Sequence, residues 1–109
     1  MNPPKRGEVW LVDLGMVAKV RPALVISVPA TDIDRALVTL VPRTTSVRAS
    51  RFEAVVRVPF LKEGAFDCQN LITIPHAKLL RVLGRLPTAQ LNDVEAGVRT
   101  WLGLDQSEV

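Results

Sequence analysis

The sequence predicts a mainly β domain that ends in one α-helix, its strands wrapped into a small, strongly bent antiparallel barrel. Three observations predict this. Five or six short runs of strand-forming residues are joined by connections too short for the crossover helices of a parallel sheet. Only the C-terminal part carries an apolar stripe at helical spacing. The 109 residues, 48% of them hydrophobic, suit one core, so residues 1–109 are read as a single domain. Closing the strands on themselves removes exposed sheet edges.

Residues 8–14, Glu-Val-Trp-Leu-Val-Asp-Leu, alternate in part and form the first expected strand, broken by Gly15. Residues 21–28 form the second, and Pro22, which lacks a backbone donor, must stand near its start or on an edge. Thr31-Asp32-Ile33-Asp34 reads as a turn. Residues 36–41 form a third strand, apolar enough to be buried on both faces, and residues 42–51 a polar loop. Residues 52–58 form the fourth strand, closed by the turn Lys62-Glu63-Gly64. Residues 68–74 form the fifth, ended by Pro75, and residues 82–86 a short sixth.

The helix follows from Leu91, Val94, Val98, Trp101 and Leu102, which recur at three- and four-residue steps. Thr88, just after Pro87, is the expected cap at its start. Gly103 suits the left-handed residue beyond its end. Gly97 inside it costs about 1 kcal/mol relative to alanine, so packing must hold this helix.

Composition removes several chemistries. Cys68 is the only cysteine, which excludes an internal disulfide and a cysteine zinc cluster, and it reads as an inert small residue in a strand. His76 is the only histidine, which excludes two-histidine acid–base catalysis within one chain and a multi-histidine metal site. No apolar run approaches the roughly 20 residues that span a bilayer. Residues 1–7 lack the apolar stretch of a signal peptide, so the expected location is the cytoplasm, with no membrane partner. The net charge is only +3, but it is unevenly spread. Arg35, Arg43, Arg48, Arg51, Arg57 and Lys62 face one acid, Glu53, in the middle of the chain, whereas Asp93, Glu95, Asp105 and Glu108 outnumber Arg99 near its end. The middle suits a polyanion.

Two stretches stand out: Val20-Arg21-Pro22-Ala23-Leu24-Val25-Ile26-Ser27, and Val41-Pro42-Arg43-Thr44-Thr45-Ser46 about twenty residues later. Each sets a guanidinium or hydroxyls at the border of an apolar run. A charged side chain and hydroxyls on neighbouring strand ends can grip a phosphate without a metal.

Together with Arg6-Gly7-Glu8-Val9-Trp10-Leu11-Val12-Asp13-Leu14, Leu83-Gly84-Arg85-Leu86 and the terminal amphipathic helix, these motifs resemble the MazF/PemK (Kid) toxin family, in order and over most of the chain. The resemblance implies an SH3-like barrel acting as a homodimer. It implies a metal-independent, sequence-specific endoribonuclease that cuts single-stranded RNA with no cofactor. A cognate antitoxin would wrap the dimer and block the RNA groove, and DNA would be met only through that antitoxin. The family's catalytic arginine and threonine match Arg21 and Thr44.

The sequence departs from the family in two places. The loop at residues 15–20 is short and lacks an acidic helper found in some relatives. The Asp/Glu-Gln pair that many members carry near the end of the fifth strand is expected at Thr73 and Ile74, and so missing. Two alternatives follow: a barrel that keeps antitoxin binding without catalysis, and a non-enzymatic gyrase poison of the CcdB type, which shares the barrel.

For RNA cleavage, the 2′-hydroxyl would attack and leave a 2′,3′-cyclic phosphate and a 5′-hydroxyl. Arg21 suits clamping the charge that develops on phosphorus, or giving a proton to the leaving oxygen. Thr44 would donate to a nonbridging oxygen, with Thr45 and Ser46 as further donors. His76 titrates nearest neutrality and is a candidate base or substrate contact. Lys19, Arg43, Arg48 and Arg51 are expected on flanking phosphates, which position RNA without reading it. Trp10 and Trp101 are expected in the core or a dimer contact.

Overall fold

The longest strand changes partner along its length, and that change shapes the molecule. The computed structural model describes residues 3–15 and 19–105. It contains β1 (Glu8–Asp13), β2 (Val20–Val25), β3 (Leu37–Thr44), β4 (Glu53–Ala54), β5 (Ala65–Asp67), β6 (Ile72–Pro75), β7 (Leu79–Arg85) and α1 (Thr88–Leu102). The strands pair antiparallel in the order β4-β5-β3-β2-β1-β7. β3 holds β6 along residues 37–40 and β5 at residues 43–44. Pro42 falls between these two partners, where no donor is needed on that side. The strand therefore runs through the proline to Thr44, three residues beyond the expected end at Val41.

Other elements differ from the sequence expectation for tertiary reasons. The fourth strand keeps only two residues, because the chain leaves the sheet after Ala54. The fifth expected strand divides: β5 ends at Asp67, the chain turns, and β6 begins at Ile72. β7 is longer than expected and follows one turn of 3-10 helix at His76–Lys78. The residues at the centre of the short loop, 16–18, lie outside the described residues, as do 1–2 and 106–109.

The two faces of the sheet carry separate cores. Val9, Leu24 and Val41 point to one face and pack with Phe66, Cys68 and the helix residues Leu91, Val94 and Val98. Trp10, Val12, Ala23, Val25, Leu40 and Leu79 fill the other. The alternation follows from the period of two along a strand. β1 carries two register shifts against β7, which sharpen the bend. Pairing leaves β4 and β7 at the two ends of the order, and the segment after β4 crosses between them. Phe60 lies so close to Gly84 of β7 that a Cβ there would meet its ring at 2.6 Å.

Helix α1 has Pro87, not Thr88, at its N-cap, with no side-chain cap bond. Proline presets the backbone for the first turn without supplying a capping oxygen. The C-terminal expectation matches: Gly103 has φ 71°, and its N–H bonds to Thr100 O while Leu104 N bonds to Arg99 O. Trp101 and Leu102 are about half exposed, so the stripe leaves the core after Val98. Trp101 instead meets Phe52 edge-on at 5.2 Å. No described helix is long and apolar enough to cross a membrane.

Candidate active site

β2 and β3 pair with Ala23 opposite Pro42 and Val25 opposite Leu40. Continued by two residues, this register sets Arg21 opposite Thr44, on the same face of the sheet. Pro22 precedes the first pair with β3, so its missing donor breaks no bond there. Arg21 is exposed and Thr44 half-buried. Both line two adjoining cavities, of about 640 and 510 Å³. The expected guanidinium and hydroxyl thus share one cleft.

Local bonding sets the threonine. Thr44 Oγ1 accepts from Ser46 N at 3.1 Å. A hydroxyl has one hydrogen and two lone pairs, so this bond uses an acceptor site and leaves the O–H to donate outwards. Behind it, Gly64 presses on the strand: a Cβ at that position would lie 2.3 Å from Thr44 O. Only glycine permits this approach of the β5 entry to the catalytic candidate.

The two cavities differ in character. The first lies where the β5–β6 connection bows away from β3, and Asp13, Asp67, Gln69, Asn70 and Lys78 line it with apolar neighbours. The second adds Thr45, Ser46, Lys62 and Arg81, with Phe60 and Leu61 from the crossing segment, and no acid among its described lining. The first is rich in acceptors; the second is basic and rich in hydroxyls.

The other expected residues differ in their placement. Arg43 lines both cavities, but from the interior: it is 4% exposed, and its guanidinium donates from Nη2 to Val56 O at 2.8 Å and Lys62 O at 2.9 Å. It also lies over the Phe66 ring at 4.9 Å. Because β3 continues past Pro42, Arg43 shares the inward face of Val41. Burial pushes its pKa below the usual value for a guanidinium. Arg51 stacks on Phe52 at 4.5 Å and lines a separate groove with Asp93 and Thr100 of the helix. Arg48 sits in the loop whose backbone N–H groups are gathered by the Glu53 carboxylate. The His76 ring is engaged by Leu37 O at 3.1 Å and lines neither cavity. Lys19 is exposed at φ 53°, two residues before Arg21, and also outside both linings.

Sequence reasoning missed Asp13, Asp67, Gln69, Asn70, Lys78 and Arg81. No carboxylate stands at Thr73 or Ile74, but Asp67, at the end of β5, lines the first cavity with the amides of Gln69 and Asn70. The available signal was the Asp-x-x-Asn turn spacing at residues 67–70, where Asp67 caps Gln69 N and Asn70 Nδ2. Between them Cys68 turns inward; burial, and then the Asp67 charge, push its thiol up to about 11.

A profile described as the PemK-like, MazF-like toxin of type II toxin–antitoxin systems matches residues 5–102. The Mycobacterium tuberculosis protein endoribonuclease MazF9 is 31% identical, over 92% of this chain and 97% of that protein. An endoribonuclease solved in complex with its cognate antitoxin, from a mycobacterial species, is 29% identical with a TM-score of 0.81, covering 93% of this chain and 96% of that one. The Mycobacterium tuberculosis toxin MazF-mt6 is 28% identical with a TM-score of 0.77, covering 90% and 98%. With the profile spanning nearly the whole chain and a relative 31% identical over 92% of it, the chain belongs to the PemK-like, MazF-like family of toxins of type II toxin–antitoxin systems.

Proposed function

We propose that this chain is a metal-independent endoribonuclease toxin that cuts single-stranded RNA and is neutralised by a cognate antitoxin occupying the same cleft. The observation that carries the reading is the convergence of Arg21 and Thr44 on one cleft, in a family whose relatives are named endoribonucleases. The 2′-oxygen attacks phosphorus, the P–O5′ bond breaks, and the products are a 2′,3′-cyclic phosphate and a 5′-hydroxyl. Arg21 clamps the nonbridging oxygens as charge builds, and Thr44 donates its O–H to the same phosphate. For the 2′-hydroxyl proton we assign Asp13 in place of His76. Asp13 ends β1 beside the Val12–Arg21 pair, and only Oδ1 is engaged in a described bond, accepting from Gly15 N at 3.0 Å. A proton returns to O5′ through Arg21 or water. The planar guanidinium can hold two phosphate oxygens at once, which suits a clamp.

The toxin works as a homodimer in the cytoplasm. Support for the dimer comes from β7, which ends the pairing order and leaves Leu80 and Val82 half exposed. Contact with DNA passes through the antitoxin. Against the non-catalytic alternative stands the carboxylate of Asp67, which lines the cleft with the amides of Gln69 and Asn70.

Incubation with a long unstructured RNA in excess EDTA should give fragments with cyclic phosphate and 5′-hydroxyl ends. Arg21→Ala should lower the rate by about 100-fold or more, the usual cost of removing one preorganised donor. Intact RNA, or equal cutting by Arg21→Ala, would overturn the reading.

A further inference from the structure

We infer that the first cavity is a guanine-reading subsite next to the scissile phosphate, with Asp67 as the residue that recognises the base; this rests on the RNA-cleaving reading above. The Asp67 carboxylate is preorganised. Oδ1 accepts from Gln69 N at 3.2 Å, and Oδ2 accepts from Asn70 Nδ2 at 2.5 Å. An ionised carboxylate only accepts, so Asn70 must turn its NH₂ towards Asp67 and its Oδ1 away. Each Asp67 oxygen keeps a further acceptor site, because a carboxylate offers about four and the turn uses two. The result is a fixed fork of two adjacent acceptors at the edge of a cavity that also holds Arg21 and Thr44.

Guanine is the base that answers such a fork. Its Watson–Crick edge places the N1–H and N2–H₂ donors side by side. Adenine and cytosine set one amino donor beside a ring acceptor, and uracil sets one imino donor between two carbonyls. Against the Asp67 fork, each of these three bases brings an acceptor oxygen or nitrogen towards a carboxylate oxygen. Gln69 lines the same cavity and can donate its amide to guanine O6, while Leu71, Ile72 and Ile74 supply apolar walls for the base faces. Unstacked single-stranded bases are read in this way, along their exposed edges. The second cavity, with Lys62 and Arg81 and no described acid, takes the phosphate path on the other side of Arg21. Asp67 thus reads a base, while Asp13 serves the chemistry.

The test uses a random-sequence RNA pool cut by the intact protein, with sequencing of the new ends. Guanine should be enriched at one fixed position beside the cut. Replacing that guanosine by inosine, which lacks the N2 amino group, should lower kcat/KM by about 10- to 100-fold, the range for one bidentate base contact. Replacing it by 7-deazaguanosine, which keeps the Watson–Crick edge, should change the rate by less than about threefold. Asp67→Asn should erase the guanine preference while its cuts still depend on Arg21. Cleavage with no fixed guanine, or an Asp67→Asn protein that keeps the preference, overturns the subsite and leaves the nuclease reading standing. An intact pool overturns the nuclease reading instead, and binding then decides the subsite. Guanosine 3′-monophosphate should bind at least about tenfold tighter than the inosine and adenosine forms, and equal binding overturns it. Should Asp67→Asn fail to fold by circular dichroism, the inosine comparison on the native chain carries the test.

Discussion

The two arginines nearest Thr44 carry the same group and do different work. Arg21 stands exposed at the cleft, whereas Arg43 is buried and holds Val56 O and Lys62 O, near both ends of the segment that crosses to β7. Its Nε and Nη1 have no partner among the described residues. Replacing a buried charge by an apolar side chain can be neutral or better, but only if its partners are satisfied elsewhere. Here Arg43→Met orphans two carbonyls, at about 1–3 kcal/mol each, against the relief of a desolvated cation. The net expectation is a loss of about 2 kcal/mol, read as a lower urea midpoint at unchanged slope. The same variant loosens the Phe60–Lys62 wall of the second cavity, so KM for long RNA should rise more than kcat falls. An unchanged midpoint would show that the carbonyls find water. The sequence distinguished Arg21 through the family resemblance, in which the Arg-Pro pair matches the motif of the catalytic arginine. It did not distinguish Arg43. Ending the third strand at Pro42 withheld the alternation that turns residue 43 inwards, and the proline's missing donor is harmless only because β3 changes partner there.

Among the elements, the helix was legible from its three- and four-residue steps, and the first three strands from runs of strand formers bounded by Gly15, the turn at residues 31–34 and Pro42. β4 and β5, of two and three residues, were not, since such strands exist only through the neighbours they pair with. Helix packing turns on Gly97. Alanine is favoured over glycine by about 1 kcal/mol in a free helix. A Cβ at Gly97 would lie 2.8 Å from Cys68 Sγ, however, so Gly97→Ala should destabilise the protein, by about 1–3 kcal/mol. Joining it to Cys68→Ala should recover part of the loss, a coupling that a double-mutant cycle measures. Cys68 also sets an alkaline limit. Its thiol rises from an ordinary value of 9.0 to about 11, through burial first. A raised folded pKa means that stability is complete below pH 9.0 and declines as pH climbs towards about 11, because only the unfolded chain ionises freely. Two pH units of such a shift correspond to roughly 2–3 kcal/mol. Cys68→Ala should flatten that part of the stability profile. A profile that falls just as steeply in Cys68→Ala would assign the alkaline loss to another group.

At the scale of the whole molecule, the basic middle of the sequence does not act as one patch. Folding separates its cations: Lys62 joins Arg21 and Arg81 at the second cavity, Arg51 faces a groove against the helix, and Arg43 is interior. Charge counting along the chain could not foresee Arg81, which reaches the site from β7, at the far end of the pairing order from β4. The separation has a measurable consequence, because each phosphate neutralised in a single strand contributes about −0.7 to the slope of log K against log salt. Arg21, Lys62 and Arg81 together give a slope near −2 per site. A 2′-O-methyl oligonucleotide, which lacks the attacking hydroxyl, allows binding to be followed by fluorescence anisotropy without cleavage. Lys62→Gln and Arg81→Gln should each make the slope shallower by about 0.7, and Arg51→Gln should leave it within about 0.2. Were Arg51→Gln to flatten the slope as much as Arg81→Gln, the polyanion would run past the helix groove, and the path through the second cavity would be wrong.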